Sequence, residues 1–295
     1  MRYIGVNGVL TEAAKAVIHV SDHGFLYGMG LFETFRTYNG VPFLLDRHLR
    51  RLEEGCRMLG IPFQPDKEQL TKHIQHLMVA NGLDEAYIRY TVSAGEEALG
   101  LPSGDYTRPN HILFAKPLPS TNTQTGQSSA LQLLRTSRNT PEGEVRLKSL
   151  HYMNNILAKR ELQQYAEAVH YRAEGIMLTA NGFLAEGIVS NLFFVRNNTL
   201  YTPDLSTGIL PGITREFILE LANLRGIPCE QGLYRWDELK QADEIFMTNS
   251  IQEIRPMDLL LEPGGVASHL SVPLAQTESI TALLLHDYRQ KAGMK

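Results

Sequence analysis

Strand signals and helix signals alternate along the whole chain of 295 residues. Residues 32–38 are typical of a strand, Asn39-Gly40 predicts a hairpin turn, and residues 41–45 are expected to form the returning strand. Apolar residues then recur at helical spacing, first at Leu49, Leu52, Cys56 and Leu59 and later at Leu70, Ile74, Leu77 and Met78. This alternation predicts an α/β or α+β fold of mixed layers rather than a strict parallel barrel.

A polar tract without periodicity, from Pro117 to Ser129, divides the chain. Since about 150 residues make one domain, the length also suggests two domains. We expect an N-terminal α/β domain over residues 1–117, an interdomain linker over 118–129 and a C-terminal α/β domain over 130–295. The elements expected in the second domain are a helix over 150–168, a hairpin about Asn181-Gly182, a helix over 214–224, a buried strand over 244–248 and a final helix from about Leu274.

Composition excludes several classes of function. The net charge is -4 and the pI is about 6.2, so no basic surface indicates nucleic acid. Cys56 and Cys229 are too few for a disulfide framework, and His23, His48 and His151 are too scattered for a metal site. Neither a signal-peptide core nor an apolar run of membrane-spanning length, about 18 residues, is present. We expect a cytoplasmic protein that binds no metal, nucleic acid or membrane.

Lys148 is the first candidate for chemistry. It has apolar neighbours, Leu147 and Leu150, at the start of the expected helix. Partial desolvation lowers the pKa of a lysine and makes its amine a nucleophile for carbonyls. By its local sequence alone, a surface lysine near a helix start is the more common interpretation.

Two further segments could bind an anion or line a ligand crevice. The helix that begins near Ile213 and Thr214 leaves its first N–H groups unpaired, and its dipole favours an anion there. An ordinary Pro-Gly turn with a Thr cap explains the same segment. Ser250 ends a second segment, where an apolar strand is followed by hydroxyl and amide side chains. Such a strand end can line a ligand crevice, and an ordinary polar loop after a core strand is an equally good interpretation.

Two charged side chains complete the set. Glu186 lies beside a glycine among strands and could face a cationic ring nitrogen, although alone it is typical of a turn. Arg50 and Arg51 lie on a helix whose leucines face the core, so one of the two arginines could turn inward to hold an anion, or both could belong to a solvated face. A reactive lysine, a phosphate cup, an inward arginine and a carboxylate are together what pyridoxal 5′-phosphate requires.

The chain resembles the fold-type IV pyridoxal-phosphate enzymes, which include branched-chain aminotransferases, D-amino acid aminotransferases and 4-amino-4-deoxychorismate lyases. The resemblance covers nearly the full length and rests on ordered motifs, which are residues 21–36, residues 42–46 with His48 and Arg51-Leu52, Lys148-Ser149-Leu150, Glu186-Gly187 with residues 190–193, residues 210–215, and Thr248-Asn249-Ser250. It implies the two-domain fold of D-amino acid aminotransferase and a homodimer.

The same resemblance implies a role for each matching residue. Lys148 matches the catalytic lysine that bonds to pyridoxal 5′-phosphate, Glu186 the partner of the pyridine nitrogen, and Arg51 the arginine on the phosphate. The other residues implied are Ile213, Thr214 and Ser250 for the phosphate cup, Tyr152 near the cofactor ring, and Tyr27 and Arg89 for the substrate.

Within this superfamily, three features favour one activity. D-amino acid aminotransferases carry an Arg-x-His carboxylate trap, which residues 93–101 lack, and branched-chain enzymes have a glycine-rich stretch where this chain has residues 149–151. Residues 22–28, 42–46 and 248–251 are most similar to the bacterial lyases. The resemblance implies a lyase that makes 4-aminobenzoate and pyruvate for folate biosynthesis. A D-amino acid or branched-chain aminotransferase is the alternative, and a non-catalytic reservoir of the cofactor is a third.

Overall fold

The computed structural model describes residues 1–119, 129–265, 267–269 and 279–294. Contacts between Cα atoms divide these residues into two units. The first contains the residues up to 119 together with Leu147–His151, and the second contains the other described residues. Most of the expected linker, 118–129, lies outside the described residues, so the two units are described separately.

The first unit is built on one antiparallel sheet of six strands in the order β2-β1-β6-β5-β3-β4. Its strands are β1 (Tyr3–Val6), β2 (Val9–Glu12), β3 (Gly30–Tyr38), β4 (Val41–Pro42), β5 (Tyr87–Ser93) and β6 (Asn110–Lys116), and its helices are α1 (His23–Tyr27), α2 (Leu45–Met58) and α3 (Lys67–Asn81). Helices α2 and α3 cover a core that includes Phe35, Leu49, Ile74 and Ile88.

The hairpin predicted at Asn39-Gly40 is present, but its second strand is shorter than expected. Both turn residues have left-handed φ, 52° and 73°, as a two-residue hairpin requires. Strand β4 ends at Pro42, and helix α2 already begins at Leu45. The reason is burial, because Leu45 belongs to the apolar face of α2 together with Leu49 and Leu52.

Residues 148–150 pair with strand β3, and residues 147–151 belong to the first unit. The backbone N–H of Phe32 donates to the carbonyl of Lys148 (2.9 Å), and the N–H of Leu150 donates to the carbonyl of Gly30 (3.0 Å). This differs from the expectation that Lys148 lies in the C-terminal domain and that a helix starts at residue 150. Backbone groups that bond to a neighbouring strand are not available for helical hydrogen bonds, and helix α4 begins only at Met153.

The second unit contains two five-stranded sheets, ordered β12-β11-β10-β13-β14 and β16-β15-β7-β8-β9. A shared apolar cluster, which includes Leu131, Leu184, Phe194 and Ile245, draws on strands of both sheets. The strands are β7 (Ala130–Leu133), β8 (Glu174–Leu178), β9 (Leu184–Gly187), β10 (Asn191–Arg196), β11 (Thr199–Pro203), β12 (Cys229–Gly232), β13 (Glu244–Asn249), β14 (Glu253–Met257), β15 (Leu259–Leu261) and β16 (Ala267–His269). The helices are α4 (Met153–Leu162), α5 (Ala166–His170), α6 (Ile213–Leu224), α7 (Trp236–Leu239) and α8 (Ile280–Lys291).

The helix expected over 150–168 is two helices, α4 and α5. Leu162 and Ala168 both contribute to one apolar cluster. Six residues apart, they would point about 120° away from each other on a continuous helix, so the break allows both to be buried. The final helix, expected from about Leu274, begins at Ile280 with Ser279 as its cap, and residues 270–278 lie outside the described part.

The mixed sheets and helices confirm the expected fold class. Among the described residues, no helix has the length and apolar character needed to cross a membrane.

Gly95 supplies a test of the packing in the first unit. Gly95 and Gly8 have almost the same left-handed φ, 83° and 81°, but a Cβ at Gly95 would overlap the carbonyl oxygen of Arg108, whereas a Cβ at Gly8 would have nothing within 4 Å. We expect Gly8→Ala to lower the free energy of unfolding by about 1 kcal/mol. Gly95→Ala should lower the free energy of unfolding by about 2 kcal/mol or more beyond the loss in Gly8→Ala, because the backbone at Arg108 must move. Urea denaturation of both variants checks this, and equal losses would contradict the close approach.

Candidate active site

Lys148 and Arg89 both lie over the ring of Phe32. The Lys148 Nζ is 4.7 Å and the Arg89 guanidinium carbon 3.6 Å from the ring centre. Phe32 is almost fully buried in β3, whereas the two cations are partly buried. The backbone bond between Phe32 and Lys148 fixes where the lysine leaves the sheet. Strand β3 thus brings together the expected cofactor lysine and one of the two expected substrate residues.

Arg51 is held by a buried glutamate. Its Nε donates to Glu33 Oε1 (2.8 Å) and its Nη2 to Glu33 Oε2 (2.7 Å), which is a bidentate pair. The Nδ1 of His48 lies 2.6 Å from the same Oε2. Glu33 and His48 are each 1% exposed, and Arg51 is 17% exposed at its side chain. Helix α2 supplies Arg51 and His48, three residues apart on one face, and β3 supplies Glu33.

The pKa values of this cluster define its charges. Burial by itself raises the pKa of Glu33, but the charge of Arg51 and the hydrogen bond from His48 outweigh it, and the pKa falls to about 2. Burial lowers the pKa of His48 against the opposing influence of Glu33. At neutral pH, therefore, His48 is neutral and donates its Nδ1–H to an ionised Glu33, which accepts from both partners.

Tyr27, the other expected substrate residue, lies at the end of helix α1. Its hydroxyl accepts from the Gly100 N–H (3.0 Å), and its carbonyl lies 3.0 Å from Nε2 of His151. Gly28 follows it with a left-handed φ of 71°, and a Cβ there would overlap the His151 ring. The helix is anchored by Asp22, whose buried carboxylate accepts from Gly24 N–H, Ser93 and Asn110.

In the second unit, Glu186 stands near the end of β9 and is only 4% exposed. Its Oε1 accepts from Arg138 Nε (2.7 Å), and its Oε2 accepts from Leu210 N–H (3.0 Å) and Asn191 Nδ2 (3.3 Å). Arg146 Nε lies 3.9 Å from Oε1. Buried arginines thus balance the buried carboxylate and fix its orientation.

The expected phosphate cup is the N-terminus of helix α6. Ile213 and Thr214 are its first residues, and Gly212, the N-cap, offers no side-chain hydrogen bond to the helix. Thr214 Oγ1 lies 3.2 Å from Ser250 Oγ, so two of the predicted hydroxyls are adjacent. A Cβ on Gly212 would overlap Oδ1 of Asn191, so glycine is needed for this close approach.

Tyr152, expected near the cofactor ring, is the residue before α4 and is half-buried. It belongs to the second unit, whereas Lys148 belongs to the first. The next asparagines on α4 support the Glu186 region: Asn154 Oδ1 accepts from Arg138 (2.7 Å), and Asn155 donates to the carbonyl of Ile188.

Four residues that form the hydrogen bonds around Arg51 and Glu186 were not predicted from the sequence as site residues. They are Glu33, His48, Arg138 and Asn191. Glu33 did carry a signal, because its position between Leu31 and Phe35 on one face of β3 buries a charge, and a buried charge requires a partner. Arg138 lies in a loop without periodicity, so nothing in its local sequence indicated its role.

The residues fit the groups of pyridoxal 5′-phosphate to which the sequence assigns them. A helix N-terminus with two neighbouring hydroxyls suits a phosphate. Glu186 makes three hydrogen bonds to described residues, while an ionised carboxylate can accept about four, so it can accept one more from a ring nitrogen. The amine of Lys148 is the group that would bond to the aldehyde. Among the described residues, no group of three or more His, Cys, Asp or Glu could hold a metal ion.

Comparison with known proteins identifies the family. A sequence model of the amino-transferase class IV family matches residues 30–260, well over half of the chain. The chain belongs to the class IV aminotransferase family. This confirms the predicted superfamily and a pyridoxal-phosphate enzyme as the class of protein.

Individual class IV relatives agree with this assignment. The aminodeoxychorismate lyase of Bacillus subtilis (strain 168) is 42% identical over 88% of this chain and 87% of its own. The solved 4-amino-4-deoxychorismate lyase of Pseudomonas aeruginosa is 32% identical with a TM-score of 0.80, over 97% of this chain and 98% of its own. The branched-chain aminotransferase of Thermoproteus uzoniensis, solved with norvaline, is 29% identical with a TM-score of 0.81, over 99% of this chain and 95% of its own.

His48 gives a pH-dependent prediction. Because its folded pKa lies below the unfolded value of 6.5, the unfolded state takes up its proton first, and the stabilisation present above pH 6.5 is lost as the pH falls. We expect the free energy of unfolding to fall between pH 7.5 and pH 5, and to fall less in His48→Gln, whose amide can still donate to Glu33. Urea denaturation at both pH values measures this. An unchanged pH dependence in the variant would mean that the pKa of His48 is the same in the folded and the unfolded protein, and would contradict the prediction.

Proposed function

We propose that this protein is a pyridoxal-phosphate-dependent lyase that converts 4-amino-4-deoxychorismate into 4-aminobenzoate and pyruvate. The observation that carries the proposal is the 42% identity to an aminodeoxychorismate lyase over 88% of this chain. The lack of an Arg-x-His carboxylate trap in residues 93–101 and of a glycine-rich stretch after Lys148 also supports a lyase over an aminotransferase.

Each predicted residue has a chemical task in this proposal. Lys148 would bond to the aldehyde of the cofactor, and Glu186 would accept a hydrogen bond from its protonated ring nitrogen. The residues for the phosphate are Arg51, Ile213, Thr214 and Ser250. Tyr152 would contact the ring, and Tyr27 and Arg89 would bind the substrate, in which Arg89 offers a positive charge to a carboxylate.

The reaction needs two proton movements, and Lys148 can serve both. When bound, the cofactor withdraws electrons from the amine-bearing carbon of the substrate. The free amine at Nζ of Lys148 takes the proton from that carbon as general base. The resulting ammonium then donates a proton to the enolpyruvyl group as its C–O bond to the ring breaks. One C–H and one C–O bond are broken, the ring becomes aromatic, and the two products contain all atoms of the substrate.

An aminotransferase is the second candidate, because the branched-chain aminotransferase of Thermoproteus uzoniensis has the same fold with a TM-score of 0.81. It would use the same lysine but return the amino group to a keto acid.

We also propose a cytoplasmic homodimer that serves folate biosynthesis. Phe25, Leu99 and Leu101 in the first unit are 73%, 84% and 94% exposed, which supports an interface on this unit. Sedimentation velocity of the purified protein tests the dimer, and a monomer at micromolar concentration would contradict it.

Replacement of the lysine tests the cofactor bond. We expect wild-type protein treated with borohydride to carry the cofactor label at Lys148, and Lys148→Ala to carry none. Lyase activity of the variant should fall roughly 10³-fold or more, because both the covalent bond and the base are lost. Lys159→Ala, which removes an exposed lysine of α4, is the control and should keep both label and activity. Full activity in Lys148→Ala would contradict the role proposed for Lys148, whereas a label at Lys148 in a wild-type protein without lyase or aminotransferase activity would support the reservoir alternative.

A substrate panel separates the two candidate activities. Purified protein with pyridoxal 5′-phosphate should release pyruvate and 4-aminobenzoate from 4-amino-4-deoxychorismate at a rate well above amino transfer from D-alanine or leucine. Both products can be measured by chromatography in the same sample. Rapid amino transfer with no 4-aminobenzoate would replace the lyase proposal by the aminotransferase.

A further inference from the structure

Glu33 fixes the plane of the Arg51 guanidinium. The two parallel bonds, at 2.8 Å and 2.7 Å, use the Nε donor and one Nη2 donor of the five N–H donors of the arginine. A free arginine side chain has many rotamers, and an anion that binds it must overcome their entropy. An arginine already held in one orientation avoids most of this loss.

Glu33 is itself held rigidly. His48 contacts Oε2 at 2.6 Å, the glutamate is 1% exposed, and the His48 ring packs on Phe35 with ring centres 5.1 Å apart. Glu33 and His48 are therefore fixed in the core between β3 and α2. Of the three residues, only Arg51, at 17% side-chain exposure, reaches towards solvent.

The charge of Glu33 acts in the opposite direction to its orienting effect. An ionised carboxylate near an anion-binding arginine repels the anion and weakens its binding. If only charge mattered, removal of Glu33 would strengthen phosphate binding. If orientation dominates, removal would weaken it, so the sign of the change separates the two effects.

We propose that Glu33 is a positioning residue that, backed by His48, orients Arg51 for the phosphate of pyridoxal 5′-phosphate. The inference rests on the proposed function, in which Arg51 binds that phosphate. It concerns the phosphate alone and not the aldehyde or the ring.

The experiment compares two probes that differ only in the phosphate. Equilibrium dissociation constants of pyridoxal 5′-phosphate and pyridoxal are measured for the apoprotein by fluorescence titration. The constant for pyridoxal divided by the constant for pyridoxal 5′-phosphate is the phosphate increment. We expect Glu33→Gln and Glu33→Ala to lower this increment about tenfold, as for loss of one hydrogen bond to a charged group, while the constant for pyridoxal changes less than about twofold. Glu33→Gln keeps the shape of the side chain if the alanine variant fails to fold.

Two controls show whether Glu33 acts through Arg51. Glu253→Gln removes a carboxylate of similar burial that pairs with Arg289 in the second unit, and should leave the increment unchanged. In an Arg51→Ala background, Glu33→Ala should not lower the increment further, because the group that Glu33 orients is gone.

Four results would overturn the inference: a larger increment in Glu33→Gln, an equal loss for both probes, an undiminished effect of Glu33→Ala in the Arg51→Ala background, or an Arg51→Ala increment equal to that of wild type. In each case the lyase proposal still stands or falls with the Lys148 label and the product assay, so the two failures are distinguishable.

Discussion

Two backbone hydrogen bonds between residues 148–150 and strand β3 determine where the chemistry of the first unit can occur. They tie Lys148 to the sheet beside Phe32, whose ring also contacts Arg89. The strand that carries Phe32 also carries Glu33. One strand therefore positions the lysine beside Phe32 and, through Glu33, the guanidinium of Arg51 on helix α2.

Both units hold a buried glutamate with an arginine. In the first, Glu33 pairs with Arg51 and receives His48, and in the second, Glu186 pairs with Arg138. The two glutamates differ in what they offer, since Glu33 orients a cation, whereas Glu186 can itself accept a further hydrogen bond. Because removing one member of a buried pair leaves an uncompensated charge, separation of either pair is costly.

The local elements were predictable, and their junctions were not. The helices with apolar residues at helical spacing and the Asn39-Gly40 turn are where the sequence placed them. The break between α4 and α5 was missed, because apolar residues continue past it and only their common burial requires it. The helix start at 150 was wrong because the competing partner, β3, is more than a hundred residues away in sequence.

Local periodicity and short ordered motifs were enough to predict the mixed fold class and the superfamily, and they gave candidate residues for a phosphate, an aldehyde and a ring nitrogen. It is the packing of the folded chain that places Lys148 in the first unit, holds Arg51 with Glu33 and His48, and holds Glu186 with Arg138. Those contacts join segments far apart in the chain, and a buried charge finds its partner only when the packing of strands and helices brings the two together.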